Sequence, residues 1–247
     1  MYKSIKIASL TVALFSSLFS GFAMAEGIPM DGNPANGKQI FMNGKGPVVA
    51  CMTCHGPTGW GTEAMGAPRL ANLGYPYIVK QLTDLAEGRR VPQGAGAVMP
   101  YFASQLTPQE RKDIAAYVNT LNTTPELSDL KDIQSSGQPV GVRYKGEILV
   151  KYGVSGKVSA CVSCHGYNGR GAPPVFPVIG QQKFTYLVNQ LHNWRDKSRN
   201  NDPYQMMEVI ASKLTDQDIL DAATYLATAP RTTDGGSDYT SFSAKTQ

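Results

Sequence analysis

All four cysteines of the chain fall in two copies of one pentapeptide, Cys51-Met-Thr-Cys54-His55 and Cys161-Val-Ser-Cys164-His165, 110 residues apart. Two thiols separated by two residues can each add to a vinyl group of one porphyrin, while the next residue places an imidazole under the iron. C-x-x-C-H is therefore the pattern of a covalent c-type haem site. A zinc ribbon also pairs two C-x-x-C knuckles, but it does not require a histidine directly after each. A redox dithiol starts a helix after a strand, and no strand-like run precedes either motif. The expectation is two covalently bound haem c groups, one on Cys51 and Cys54 and one on Cys161 and Cys164, with His55 and His165 as iron ligands.

The sixth ligand of each iron then becomes the functional question. The remaining histidine, His192, has Thr83 at its repeat-equivalent position, which no repeated ligand would tolerate, so it reads as a helix-surface residue. Met99 follows His55 by 44 residues and Met207 follows His165 by 42, each shortly before the last helix of its half. A thioether is a soft ligand that favours Fe(II) and raises the reduction potential. Core packing is the ordinary role of a methionine, and Met206 competes with Met207 for the second iron. Pro68 and Pro177 lie 13 and 12 residues after their histidines. A carbonyl in those loops can accept the imidazole Nδ1 hydrogen and leave Nε2 for iron; simple loop rigidity is the alternative. Filled axial positions leave no room for a substrate, which points to an electron-transfer protein rather than an enzyme.

The elements that must position these groups are duplicated. Tyr77-Ile-Val-Lys-Gln-Leu82 lies over Tyr186-Leu-Val-Asn-Gln-Leu191, and the stretch from Met99 to Thr107 over that from Met207 to Thr215. Thr107-Pro108-Gln109-Glu110 is a capping box with proline at the first helical position, followed by Ile114, Tyr117, Val118 and Leu121 on one face. Thr215-Asp216-Gln217-Asp218 opens the equivalent helix. Tyr75 to Glu87 and Phe184 to Trp194 form a second matched pair. Short helices starting near Asn36 and Lys145 carry Gly37 and Gly146, which would let the terminal helices cross closely. No alternating strand pattern appears, so the class is all-α, two tandem domains. Asn122 to Val142 has little periodicity and reads as a linker.

Lys3 and Lys6, the apolar run Ile7 to Phe22 and Ala23-Met24-Ala25 read as a cleaved secretory signal, which predicts a periplasmic protein beginning at Glu26. The expected organisation is a signal peptide over 1–25, domains over 26–124 and 143–230 joined by a linker over 125–142, and a loose tail over 231–247. Removing the signal leaves 21 basic and 19 acidic residues, a balance that suggests neither nucleic acid nor an anionic membrane surface. Lys183, Arg195, Lys197 and Arg199 concentrate on and after one helix. A solvated helix face is the simpler reading of this cluster; steering of an acidic redox partner is the other.

The signal, two C-x-x-C-H-G sites, paired methionines and the Arg199-Asn-Asn-Asp-Pro203 stretch ahead of Met206-Met207 resemble the dihaem cytochrome c4 family over nearly all of residues 34 to 230. The resemblance implies two class I cytochrome c domains related by a pseudo-twofold, with haem propionate edges facing across a polar interface. It implies His55 with Met99 and His165 with Met207 as ligand pairs. It also implies a soluble or loosely membrane-associated periplasmic carrier, whose redox protein partners are a terminal oxidase and an upstream quinol-oxidising complex or dehydrogenase. The same pair of domains also suits the cytochrome subunit of a sulfide-oxidising flavocytochrome. One departure from the family pattern is Val150, where Phe41 supplies an aromatic in the first half, which bears on helix packing there.

Overall fold

The computed structural model describes residues 30–122 and 124–230; the expected signal peptide and tail lie outside the described residues. Among these there are eleven α-helices and no strand. The first half carries α1 (Pro34–Asn43), α2 (Met52–His55), α3 (Tyr75–Ala86), α4 (Met99–Ser104) and α5 (Pro108–Asn119). After α6 (Leu130–Ser135), the second half repeats the series as α7 (Arg143–Tyr152), α8 (Val162–His165), α9 (Phe184–Arg195), α10 (Met206–Ala211) and α11 (Asp216–Ala227). Isolated bridges close equivalent loops in the two halves, Lys45 with Val48 and Val154 with Val158, then Thr62 with Ala67 and Ala172 with Phe176.

The terminal helices begin where their side chains satisfy the free backbone N–H groups. Thr107 Oγ1 accepts from Glu110 N at 3.2 Å and Glu110 Oε2 from Thr107 N at 2.9 Å. Thr215 and Asp218 reproduce the pair at 3.1 and 2.9 Å. Each terminal helix crosses the first helix of its half at a glycine. A Cβ built on Gly37 would lie 1.9 Å from the Asp113 carbonyl oxygen, and one on Gly146 the same distance from that of Asp221. The carboxylates of those two aspartates hold the crossing: Asp113 accepts from Asn33 N and Asn36 Nδ2, both at 2.7 Å, and Asp221 from Val142 N at 2.6 Å.

Phe41 meets Tyr117 edge-on at 5.4 Å. In the second half Val150 is smaller, yet like Phe41 it is fully buried. There the partner tyrosine is fixed by polar contacts instead: Tyr225 Oη donates to Asn168 Oδ1 at 2.5 Å, and Arg143 lies 5.2 Å from its ring. The helix packing that Val150 put in question is closed, with Val150 buried and the tyrosine held by polar contacts.

The stretch expected to be only a linker contains α6. Asp129 caps it, accepting from Lys131 N at 2.9 Å and Asp132 N at 3.1 Å, and Ile133 enters the second core. One turn and a half presents only Leu130 and Ile133 to that core, too few apolar positions to register as a period.

First-half residues also complete the second half. Glu63 accepts from Phe184 N at 2.9 Å and Thr185 N at 3.0 Å and binds the Ser128 hydroxyl, so α9 is capped from the other domain. The Gln182 side chain pairs with the Arg69 backbone in both directions, at 2.7 and 3.0 Å. Glu63→Gln removes the charge at this helix start and should cost about 1–2 kcal/mol. The measurement is the denaturant midpoint of the second domain, expected to fall although the substitution is in the first.

Candidate haem sites

Each C-x-x-C-H folds as a single helical turn, Met52–His55 and Val162–His165, which puts both cysteines and the histidine on one side. His55 Nδ1 lies 3.0 Å from the Pro68 carbonyl oxygen and His165 Nδ1 2.8 Å from that of Pro177. A carbonyl oxygen only accepts, so Nδ1 carries the proton and Nε2 keeps its lone pair for a metal. Burial pushes both imidazoles below their usual pKa of 6.5, against the opposing pull of the proline carbonyls. Burial also pushes the thiols of Cys51 and Cys161 up to about 11. A thiolate is disfavoured at such positions, whereas an uncharged thioether suits them. Among the described residues no three His, Cys, Asp or Glu side chains are grouped to hold a metal ion.

Beside α8 opens a cavity of about 370 Å³, whose wall includes Cys161, Cys164, His165, Met206 and Met207. Its remaining wall is largely apolar, as a porphyrin face requires: Leu149, Val158, Phe176, Ile179, Leu187 and Leu214 contribute. The residues present thus fit a haem held through two thioethers. Met99 begins α4, and Met206 and Met207 begin α10. Both second-half methionines reach the cavity, and Asp202 Oδ2 accepts from Met207 N at 2.5 Å. The buried pairs Ala103 with Ala211 and Leu106 with Leu214 keep the 108-residue offset that equates Met99 with Met207. His192 lines no part of the cavity and sits 2.9 Å from Arg195 Nη2.

Sequence reasoning missed the groups at the polar end of this cavity. Arg90 donates to Gln81 Oε1 at 2.8 Å and to Tyr186 Oη at 3.0 Å; Arg199 donates to Gln190 Oε1 at 2.7 Å and to Tyr77 Oη at 3.3 Å. Each arginine also reaches the other glutamine, at 3.1 and 3.3 Å. Tyr77 and Tyr186, Gln81 and Gln190, Arg90 and Arg199 share one offset of 109 residues, so the network follows a pseudo-twofold between the domains. That constant offset was the available signal. Burial alone would raise the Tyr186 pKa, but the Arg90 and Arg199 guanidiniums outweigh it and hold the phenol below its usual value.

The expected cationic cluster does not form a surface. Lys183 is buried with its ammonium on the Glu126 carbonyl oxygen at 2.7 Å, and Arg199 is buried in the network just described. Arg195 pairs with Asp216 at 2.7 Å. Adjacency in sequence placed together four side chains of which only Lys197 is exposed.

Asp84 anchors the rim of the network. Burial acts to raise its pKa, but Lys80, Asn201 and Arg89 donate to it and hold it below 3.8. A carboxylate with a lowered folded pKa stabilises fully above the unfolded value and loses that contribution as pH falls through the folded one. Stability should therefore decline below about pH 3.8, and Asp84→Asn should flatten that decline in denaturant midpoints measured between about pH 5 and pH 2.5.

The cytochrome c family model matches residues 34–122 and 157–230, one segment over each of the two sites. The chain belongs to the cytochrome c family. It is a dihaem cytochrome c4-like protein, with two tandem class I cytochrome c domains and two covalently bound haem c groups. It is 32% identical over 203 residues to the thiosulfate dehydrogenase electron acceptor of Stutzerimonas stutzeri, covering 81% of this chain and 89% of that protein. Identity to cytochrome c4 of Thiocapsa roseopersicina is 34% over 202 residues, 79% of this chain and 97% of that one. Among solved structures, thiosulfate dehydrogenase (TsdBA) from Marichromatium purpuratum superposes with a TM-score of 0.71 at 30% identity, over 82% of this chain. This cytochrome spans only 40% of that longer chain. No helix among its described residues is long and apolar enough to cross a membrane.

Proposed function

We propose that this cytochrome is a periplasmic carrier that takes electrons from a thiosulfate-oxidising dehydrogenase and passes them to a terminal oxidase or another respiratory partner. In this reading His55 with Met99 and His165 with Met207 ligate the two irons, and the domains divide at 26–124 and 143–230 around the segment 125–142. When bound, haem supplies a one-electron Fe(III)/Fe(II) couple; everything else is the work of the chain. Pro68 and Pro177 fix the imidazole tautomer, the apolar walls exclude water, and the network of Arg90, Arg199, Tyr77 and Tyr186 keeps the two domains in one relative position.

The observation that carries the reading is the wall of the second-domain cavity, which offers a histidine and methionines but no further histidine or cysteine beyond the attachment motif. A closed His–Met site changes little on reduction and gives substrate no coordination position, which suits a carrier. Thiosulfate as the source of electrons rests on the likeness to the Stutzerimonas acceptor. The likeness to part of a longer thiosulfate dehydrogenase chain favours a second reading, a cytochrome subunit that stays bound to its dehydrogenase, as in the flavocytochromes.

The test mixes oxidised protein with thiosulfate without oxygen, with and without the purified catalytic thiosulfate dehydrogenase of Stutzerimonas stutzeri. Two electron equivalents per chain should be taken up only when the enzyme is present. No reduction with the enzyme would remove thiosulfate oxidation from the proposal, and reduction by thiosulfate alone would make the chain itself an enzyme. Co-purification of a stoichiometric dehydrogenase from the source would support the bound-subunit reading.

A further inference from the structure

The duplication supplies an internal control for the surface, because α1 and α7 share a fold, a glycine crossing and a buried face but differ outside. On α7, Tyr144, Ile148 and Tyr152 stand at i, i+4 and i+8 and are 62%, 53% and 76% exposed. Their first-half equivalents at the same 109-residue offset are Ala35, Gln39 and Asn43, exposed but small or polar. The fold therefore does not require an apolar stripe here. Tyr167, 55% exposed, extends it, joined through Lys151, whose Nζ lies 5.1 Å from the Tyr167 ring. Exposed tyrosines next to basic side chains are the composition of binding hot spots.

Charge specifies the occupant. From Arg143 to Arg195 the chain holds seven cations and a single carboxylate, Glu147, and Glu147 is already paired with Lys151 at 2.6 Å. Setting aside buried Lys183, Arg195 on Asp216, and Arg143 and Lys151, which share Glu147, leaves as exposed cations Lys145 on α7 and Lys157 in the loop that follows it. The loop that follows α7 runs directly into the second haem cavity, where Val158, Ser159, Ala160 and Cys161 form wall. A surface continuous with that edge places a docked redox centre close to the second haem.

We infer that the outer face of α7, with Tyr167, is the docking surface for an electron-transfer protein that presents acidic residues around an apolar patch. This deepens the carrier reading and rests on it. The probe is oxidised plastocyanin, a copper protein with acidic residues near an apolar face, mixed with the reduced dihaem protein in stopped flow. Tyr144→Ala, Ile148→Gln and Tyr152→Asn together install the residues the first domain carries at the same positions, so the helix crossing is kept. This variant should lower the second-order rate at low salt roughly tenfold, and Lys145→Glu with Lys157→Glu should do the same while flattening the salt dependence. Gln39→Glu on α1 should leave the rate within about twofold. Visible spectra and both potentials should stay unchanged in all three, which separates failed docking from a failed carrier.

Unchanged rates in both α7 variants would overturn the inference. So would binding of phosphatidylglycerol vesicles that the triple variant loses while its plastocyanin rate is unaltered, which would assign the face to a membrane. Sedimentation showing a dimer that the triple variant abolishes would assign it to a second copy of the chain, with the same consequence.

Discussion

Met99→Ala and Met207→Ala should each abolish about half of the weak far-red sulfur-to-iron absorption of the oxidised protein and lower the potential of one haem. The thioether stabilises Fe(II), so its replacement by water favours Fe(III). Axial ligation moves haem potentials over ~0.8 V, and a drop on the order of 0.1 V or more is expected here. The two effects should be confined to separate domains, because each methionine begins a short helix of its own half. Both Met206 and Met207 reach the second cavity, and Met206→Ala is the matching control. Adjacent helical residues point about 100° apart, so one sulfur can ligate and the other must pack. Loss of the band in Met206→Ala with retention in Met207→Ala would shift the register of α10 by one residue.

Gly37→Ala and Gly146→Ala should be the most damaging single-methyl changes in the protein. At 1.9 Å from a backbone carbonyl oxygen, the new methyl cannot be accommodated by turning a side chain. The two helices must separate, and with them the aspartate bonds to the preceding turn. Overpacking commonly costs 1–3 kcal/mol, and a clash with backbone belongs at or beyond the upper end, about 3 kcal/mol. Denaturant midpoints followed by the far-red band should show one domain weakened and the other near its normal value. An alanine variant at either position with unchanged stability would show that this crossing tolerates a wider spacing.

Both predictions concern residues legible in the chain, and other parts of the fold were not. The capping residues Thr107 and Thr215 and the C-x-x-C-H turns act through neighbours a few residues away, so residue type and spacing suffice to find them. The crossing glycines Gly37 and Gly146 meet the distant Asp113 and Asp221 and were legible because they recur at matching positions of the two halves. The helix α6 escapes that reading because its start at Asp129 is local but its reason for existing, the burial of Ile133, comes from a core built elsewhere in the chain. The polar network between the domains was hidden for the same reason. Tyr77, Gln81 and Arg90 look like ordinary surface residues of a helix and its following loop until the second copy folds against them. Lys183 and Arg199 misled in the opposite direction, since a run of cations says nothing about which of them a neighbouring domain will cover. In a duplicated chain, polar residues repeated at a constant offset deserve to be read as partners across the pseudo-twofold, and here that rule would have found the whole network.

The central claim is that both irons are closed by protein ligands and that the chain moves electrons without binding substrate. Mixing the fully reduced, unmutated protein with carbon monoxide tests it most directly, because carbon monoxide takes any open or weakly held position on Fe(II) haem and changes the visible spectrum as it does so. The account predicts an unchanged spectrum on the time scale of mixing and slow binding at most, with rapid binding appearing only in Met99→Ala or Met207→Ala. Rapid, stoichiometric binding by the unmutated protein at either haem would contradict it and show an open coordination position.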